Sequence, residues 1–155
     1  MKMSAELCVI LFCIFFMCDN CSADPPPSSC TVSATSIIFV NYDVFSTFNN
    51  DSTGTITVSC TAPWPLLTIA IGQSSNSGFL PRKMKKSGGS DMLNYNIFTD
   101  AAMSAVWGDG TSGTQVVVHQ PNKKTVPEIV YGRIPPGQDI SAGFYSDVLM
   151  VTITF

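Results

Sequence analysis

The chain has 155 residues, 8 basic and 11 acidic, a formal net charge of −3 and a single histidine. That charge leaves no basic footprint for nucleic acid. One histidine with six cysteines, four of them near the start, leaves few groups for a catalytic or metal-ligating constellation.

The first element is "MKMSAELCVILFCIFFMCDNCSADPPP". Lys2 precedes an apolar run over residues 7–18, and the small residues Cys21, Ser22 and Ala23 lead into "DPPP". This is the pattern of a secretory signal over residues 1–23. Twelve residues make about 18 Å of helix, and a bilayer core needs about 30 Å, so the run is too short for an anchor. No small residue precedes Cys18 or Cys21, so a lipid-modified cysteine is not expected.

Removing Lys2, Glu6 and Asp19 with the signal leaves 7 basic and 9 acidic residues, a net charge of −2, on a single exported domain. Cys30 and Cys60 are then the remaining cysteines. In an exported protein they are expected to pair with each other, closing a loop of about 30 residues worth roughly 3–4 kcal/mol. Residues 24–29, "DPPPSS", form a short proline-rich segment. Three prolines offer no backbone N–H, so this segment cannot form a ladder strand.

From Cys30 onward, alternation and β-branched residues dominate, and no segment keeps helical apolar spacing for three turns. "CTVSATSIIFV" reads as a first strand broken near Ala34 and Thr35. "GTITVSC", "LLTIAIG", "MLNYNIF", "TQVVVHQ", "TVPEIVYGRI" and "DVLMVTITF" read as six more. "NDSTG", "KKSGGSD", "GDGTSG" and "PPGQD" read as turns between them, and "TDAAMSAVWG" as one helical turn. Pro127 points to an edge or a strand entry. About seven short strands at this spacing predict a β-sandwich. Over residues 148–155, Leu149, Val151, Ile153 and Phe155 share one face, and no turn or further strand follows in the sequence. A strand this apolar needs hydrogen-bonding neighbours on both sides, which raises the question of what fills the place beside it.

Candidate chemistry is sparse. His119, at a strand end, has no nucleophile frame beside it and reads as a surface histidine. Residues 108–113 lie in "WGDGTSGT", which lacks both the acidic spacing of a calcium loop and the lysine of a P-loop. It reads as a tight turn with Gly108 and Gly110 at positive φ. The basic cluster over residues 82–86, "RKMKK", could hold an acidic partner, but it reads first as a solvated loop or lysine-guarded edge strand. Asn50 opens an N-glycosylation sequon of the eukaryotic secretory pathway. Trp64, Trp107 and the loop near Lys85 are the residues a secreted glycan- or protein-binding module would use. Neither a catalytic set, nor a metal site, nor a cofactor is expected.

The segments "CTVSA", "STGTITVSC", "RKM", "LNYNIFTDAAMSAVWGDGT", "VYGRIPPGQ" and "GFYSDVLMVTITF" occur in this order over residues 30–155. Together they resemble the spore coat protein U domain family, which includes subunits of archaic (Csu-type) chaperone–usher pili. The resemblance implies an all-β, incomplete immunoglobulin-like sandwich lacking its final strand, G. It implies a structural subunit rather than an enzyme, exported through the periplasm to a cell-surface fibre with roles in adhesion and biofilm formation. A periplasmic chaperone donates a strand first, an outer-membrane usher assembles the fibre, and a neighbouring subunit's N-terminal extension then takes the chaperone strand's place. The C-terminal carboxylate of Phe155 is expected to be held by basic residues of the chaperone.

On this reading the acceptor edge is Leu149, Val151, Ile153 and Phe155. An incoming strand that buries four or five apolar side chains gains on the order of 10 kcal/mol before entropy costs. The expected partners are the chaperone, the usher and neighbouring subunits, with no nucleic acid and no small-molecule substrate. Because residues 24–29 cannot donate a strand, a tip or non-polymerising position is expected. A spore-coat or matrix protein is the alternative within this class.

Overall fold

A computed structural model describes residues 29–62, 66–119 and 124–155. The expected signal segment, residues 24–28 and Trp64 lie outside the described residues. The described residues form nine strands: β1 (Cys30–Ala34), β2 (Asn50–Cys60), β3 (Leu67–Ile71), β4 (Arg82–Lys86), β5 (Met92–Phe98), β6 (Val117–His119), β7 (Thr125–Ile134), β8 (Tyr145–Ser146) and β9 (Val151–Thr154). They build a six-stranded sheet in the order β1-β2-β7-β5-β4-β8 and a three-stranded sheet in the order β6-β3-β9. Every pairing is antiparallel.

The two sheets face each other across one core because their central strands alternate. In β2, Ile56, Val58 and Cys60 are buried while Thr55, Thr57 and Ser59 look outward. In β5, Leu93, Tyr95 and Ile97 are buried between partly exposed Asn94 and Asn96. Leu67, Ile69 and Ile71 supply the inner face of the small sheet. Cys30 and Cys60 lie directly opposite in the β1–β2 ladder and are joined by a disulfide, as their isolation in the mature chain predicted.

Several local expectations are corrected. "NDSTG" is not a turn. Asn50 already opens β2, because all ten residues from Asn50 to Ser59 find partners on β7. "TDAAMSAVWG" is not helical, since the Asp100 carboxylate accepts from the Ser104 and Ala105 N–H groups and shapes an irregular turn. "RKMKK" is neither loop nor edge: β4 lies between β5 and β8. Pro127 sits in β7 opposite Thr57, beyond the three residues that pair with β5, so its missing N–H breaks no ladder on that side. The predicted last strand, residues 147–155, shortens to β9, and a separate two-residue strand, β8, precedes it. Tyr145 and Ser146 pair with β4, whereas residues 151–154 cross to the other sheet and pair with β3.

Candidate functional site: an apolar groove between a strap and an open strand edge

One wall is the run from β8 into β9. β9 pairs with β3 on one side, and among the described residues no strand pairs with its other side. The Gly72 N–H donates to the Met150 carbonyl at 2.8 Å, and the β3 register continues through Ala70–Thr152 and Thr68–Thr154. Even-numbered residues therefore turn their backbone groups toward β3. By strand alternation, Leu149, Val151 and Ile153 turn theirs toward the open side. The same three side chains are half-buried and pack on the core. Of the four residues expected on this face, Leu149 and Val151 line the groove, Ile153 and Phe155 do not, and Phe155 is 48% exposed. It lies one residue past β9, beyond the last β3 pairing at Thr154.

The opposite wall is a strap, residues 35–44. Its burial alternates, with Ile37 and Phe39 half-buried and Ile38 and Val40 exposed, the mark of an extended chain on a core. Beyond Thr35, whose N–H still donates to the Thr55 carbonyl, side chains rather than a ladder hold it. Asn50 Nδ2 donates to the Val40 carbonyl (2.8 Å) and Ser52 Oγ to the Ile38 carbonyl (2.6 Å). The Tyr42 hydroxyl donates to the Pro135 carbonyl and accepts from the Gln138 N–H. With Ile38 and Val40 tied back to β2, the backbone groups of Ile37 and Phe39 face the opposite way, toward β9. The strap lies this close to the sheet because two inward positions carry no side chain. A Cβ on Gly132 would sit 2.8 Å from Phe39 Cζ, and one on Gly54 would sit 2.9 Å from Ile37 Cγ1. Phe39 also meets Tyr95 edge-on at 6.5 Å.

Between the walls runs a groove of about 1160 Å³, floored by side chains that include Ile56, Met84, Leu93, Ile97, Val130 and Ile134. It is apolar beneath and flanked by the strap on one side and by the open side of β9 on the other.

Two polar clusters, one half-buried and one buried, brace the wall carrying β9. The Tyr95 hydroxyl donates to Asp147 Oδ2 at 2.8 Å, while Ser75 Oγ and the Val148 N–H donate to Oδ1. Burial, and then the Asp147 carboxylate, push the Tyr95 hydroxyl well above its ordinary range, so it stays protonated and donating. Arg82 is fully buried. Its guanidinium donates to the Gly72 and Trp107 carbonyls (2.9 and 2.8 Å) and to Asn96 Oδ1 (2.9 Å), and its Cζ lies 5.2 Å from the centre of the Phe79 ring. Burial lowers its pKa, but arginine keeps its proton. Arg82 thus ties β4 of the large sheet to the end of β3 in the small one. The solvated reading of "RKMKK" fails for this residue and holds for exposed Lys85. Sequence reasoning missed Arg82 because a cationic run does not reveal which member alternates inward.

The remaining candidates are structural. Trp107 is fully buried and donates to the Ile69 carbonyl, so it cannot serve as a surface contact. Gly110 has φ 87°, as a tight turn needs, but Gly108 does not. Gly108 is there because a Cβ would collide with the Thr114 side chain. His119 ends β6 with Nε2 2.8 Å from Glu128 Oε1. Asn50 is half-buried and spends its amide on the strap. Among the described residues no group of three His, Cys, Asp or Glu side chains could hold a metal ion.

The model of the Spore Coat Protein U domain matches residues 23–152. The chain belongs to the spore coat protein U domain family. Protein U of Myxococcus xanthus, a curated relative, is 33% identical over 109 residues, which are 66% of this chain and 59% of that protein. Among solved structures, a chain of the CsuC–CsuE chaperone–tip adhesion subunit pre-assembly complex, from the archaic chaperone–usher Csu pili of Acinetobacter baumannii, superposes with a TM-score of 0.58. It is 19% identical and covers 83% of this spore coat protein U domain chain and 40% of its own. The minor tip subunit HdaB of the E. coli Hda pilus is more distant, with a TM-score of 0.42 at 15% identity over 79% of each chain. The spore coat protein U domain chain thus spans less than two thirds of Protein U and of the Csu complex chain. The fold is the incomplete immunoglobulin-like sandwich that the resemblance implied.

Proposed function

We propose that this protein is a structural subunit of a chaperone–usher surface fibre, and that its groove receives a β-strand from another molecule. The observation that carries the reading is an apolar floor between the strap, residues 35–44, and the side of β9 that no described strand pairs with. A donated strand hydrogen-bonds to both walls and fills the floor with alternate side chains. A periplasmic chaperone supplies it first, an outer-membrane usher receives the subunit, and a neighbouring subunit's strand then replaces the chaperone's. Leu149, Val151 and Ile153 are the acceptor residues on the β9 side. Family membership and the likeness of fold to a pilus subunit support this reading. Its setting is the periplasm and then the cell surface, with adhesion and biofilm formation as the role. The proline-rich segment over residues 24–29 favours a subunit that accepts without donating, at a fibre tip or in a non-polymerising position. Likeness to Protein U favours a second setting, a coat or matrix layer built through the same groove.

The test is thermal unfolding with and without a synthetic strand of about ten residues alternating Val or Ile with Thr or Ser. A saturable rise in Tm of about 10 °C or more is expected, absent with a scrambled peptide, because a ligand that binds only the folded state stabilises it by mass action. An unchanged Tm at millimolar peptide contradicts the reading.

A further inference from the structure

The outward faces of the two groove walls are as apolar as their inward faces. On the strap, Ile38 and Val40 are 78% and 76% exposed; on the opposite wall, Val148 and Met150 are 83% and 75% exposed. Phe45 and Phe144, at the ends of the same two segments, are almost wholly exposed. Charge is scarce here. Residues 35–48 carry only Asp43, and residues 140–155 carry only Asp147, whose carboxylate is held by Tyr95 and Ser75.

The outer face of the six-stranded sheet is different. There the corresponding positions hold mostly Thr55, Thr57, Lys83, Asn94 and Arg133, with Ile129, 49% exposed, as an isolated apolar side chain opposite Thr55. Both faces come from one chain in one solvent, so the difference marks a surface that water does not face in the working state. Six large apolar side chains at these exposures present several hundred Å² in one region. That is at the upper limit for a typical monomer and close to the roughly 800 Å² that each partner buries in a standard interface.

We infer that these outer rows are a second docking surface, for the body of the molecule that donates the strand. Resting on the proposed strand-accepting role, the inference adds that the donor must also present an uncharged apolar face beside its strand. The geometry commits to this occupant because the two rows straddle the groove. A strand between the walls interleaves its outward side chains with Ile38 and Val40 on one side and Val148 and Met150 on the other. The lanes then form one continuous outer face, too wide for the strand itself to cover. The part of the donor directly attached to the strand lies against it.

Single-cysteine variants Ile38→Cys and Val148→Cys, with Thr57→Cys on the polar face as control, test this by maleimide labelling. Two states are compared with the free protein: the protein saturated with the synthetic alternating peptide, and the protein in a purified one-to-one complex with the whole strand-donating protein. Labelling at 38 and 148 is expected to slow at least tenfold in the complex, to stay within about twofold of the free rate with peptide, and to stay constant at 57 throughout. Retained fast labelling at 38 and 148 in the complex overturns the inference while leaving the strand reading intact. Protection in the free protein that grows with its own concentration also overturns it, by assigning the rows to a second copy. Protection by phospholipid vesicles alone assigns them to a membrane and overturns it equally. If neither peptide nor any folded donor binds, the strand-accepting reading fails first and this inference falls with it.

Discussion

The two sheets of this sandwich are built from similar strands and treat their edges differently. In the six-stranded sheet, the long β2 is flanked on both sides, and β1 at the outer edge is short, with exposed Thr31 and Ser33 and a disulfide to β2. Short, polar, covalently tethered edges resist stray pairing. The three-stranded sheet ends on β9, which carries half-buried Val151 beside an open groove. One edge is guarded and the other, among the described residues, is open. A fold can therefore be well determined over most of its length and still be incomplete at one place.

The sharpest way to break this comparison is within β9 itself. Val151→Asp puts a charge on the groove side, and Thr152→Asp puts one on the outer side of the next residue. The first is expected to abolish the peptide-induced rise in Tm, because it charges a site where strand burial is worth on the order of 10 kcal/mol. The second is expected to change peptide affinity less than threefold. Titration calorimetry of the two variants checks the pair. Equal losses would mean that the two faces of β9 are equivalent.

Arg82 joins the two sheets, so Arg82→Met is expected to cost about 3–5 kcal/mol in urea unfolding of the peptide-bound protein. The Gly72 and Trp107 carbonyls and the Asn96 side chain lose their donor together. Arg82→Lys rescues little, because one ammonium cannot span that fork. The disulfide acts only on the guarded edge. Cys30→Ser with Cys60→Ser is expected to cost about 3–4 kcal/mol while peptide affinity, corrected for the unfolded fraction, is unchanged.

The smallest effect belongs to the exposed pair on the outer face of the large sheet. The hydrogen bond from Arg133 holds the Asp51 carboxyl below its usual range. A lowered folded-state pKa contributes stability that is complete above the unfolded carboxylate range and is lost as pH falls through the folded value. The contribution is therefore flat from pH 8 to pH 5 and disappears in strong acid. Exposure keeps it to about 0.5 kcal/mol, read as the difference between Asp51→Asn and wild type at pH 7 and again at pH 2.

Much of this was legible in the residues because burial in a two-layer sheet imposes a period of two. Ile56 and Val58 in β2 and Leu93, Tyr95 and Ile97 in β5 were readable as inward, and so was the alternation through Leu149, Val151 and Ile153. The break of the first strand near Thr35 was readable too, but the reason for it was not. The strap that follows is placed by Gly54 and Gly132, more than 15 and 90 residues away in sequence, and by the side chains of Asn50 and Ser52. Those are tertiary contacts, and no local propensity announces them. For the same reason "NDSTG" looked like a turn: its residues favour one, and ladder bonds to β7 override the preference. Arg82 and Trp107 were misjudged because a charge or an aromatic ring carries no label of its side of the sheet. Phe155 fits the alternation, but it lies past the end of β9 and remains half-exposed.

The central claim is that the groove takes a strand, and amide hydrogen exchange at single-residue resolution tests it most directly. Adding the alternating peptide is expected to slow exchange at least a hundredfold at Leu149, Val151 and Ile153 and at Ile37 and Phe39, where backbone groups face the groove. Thr152, already directed toward β3, should change far less. Saturating peptide that leaves those five amides exchanging as in the free protein, or that protects one wall alone, would contradict the account.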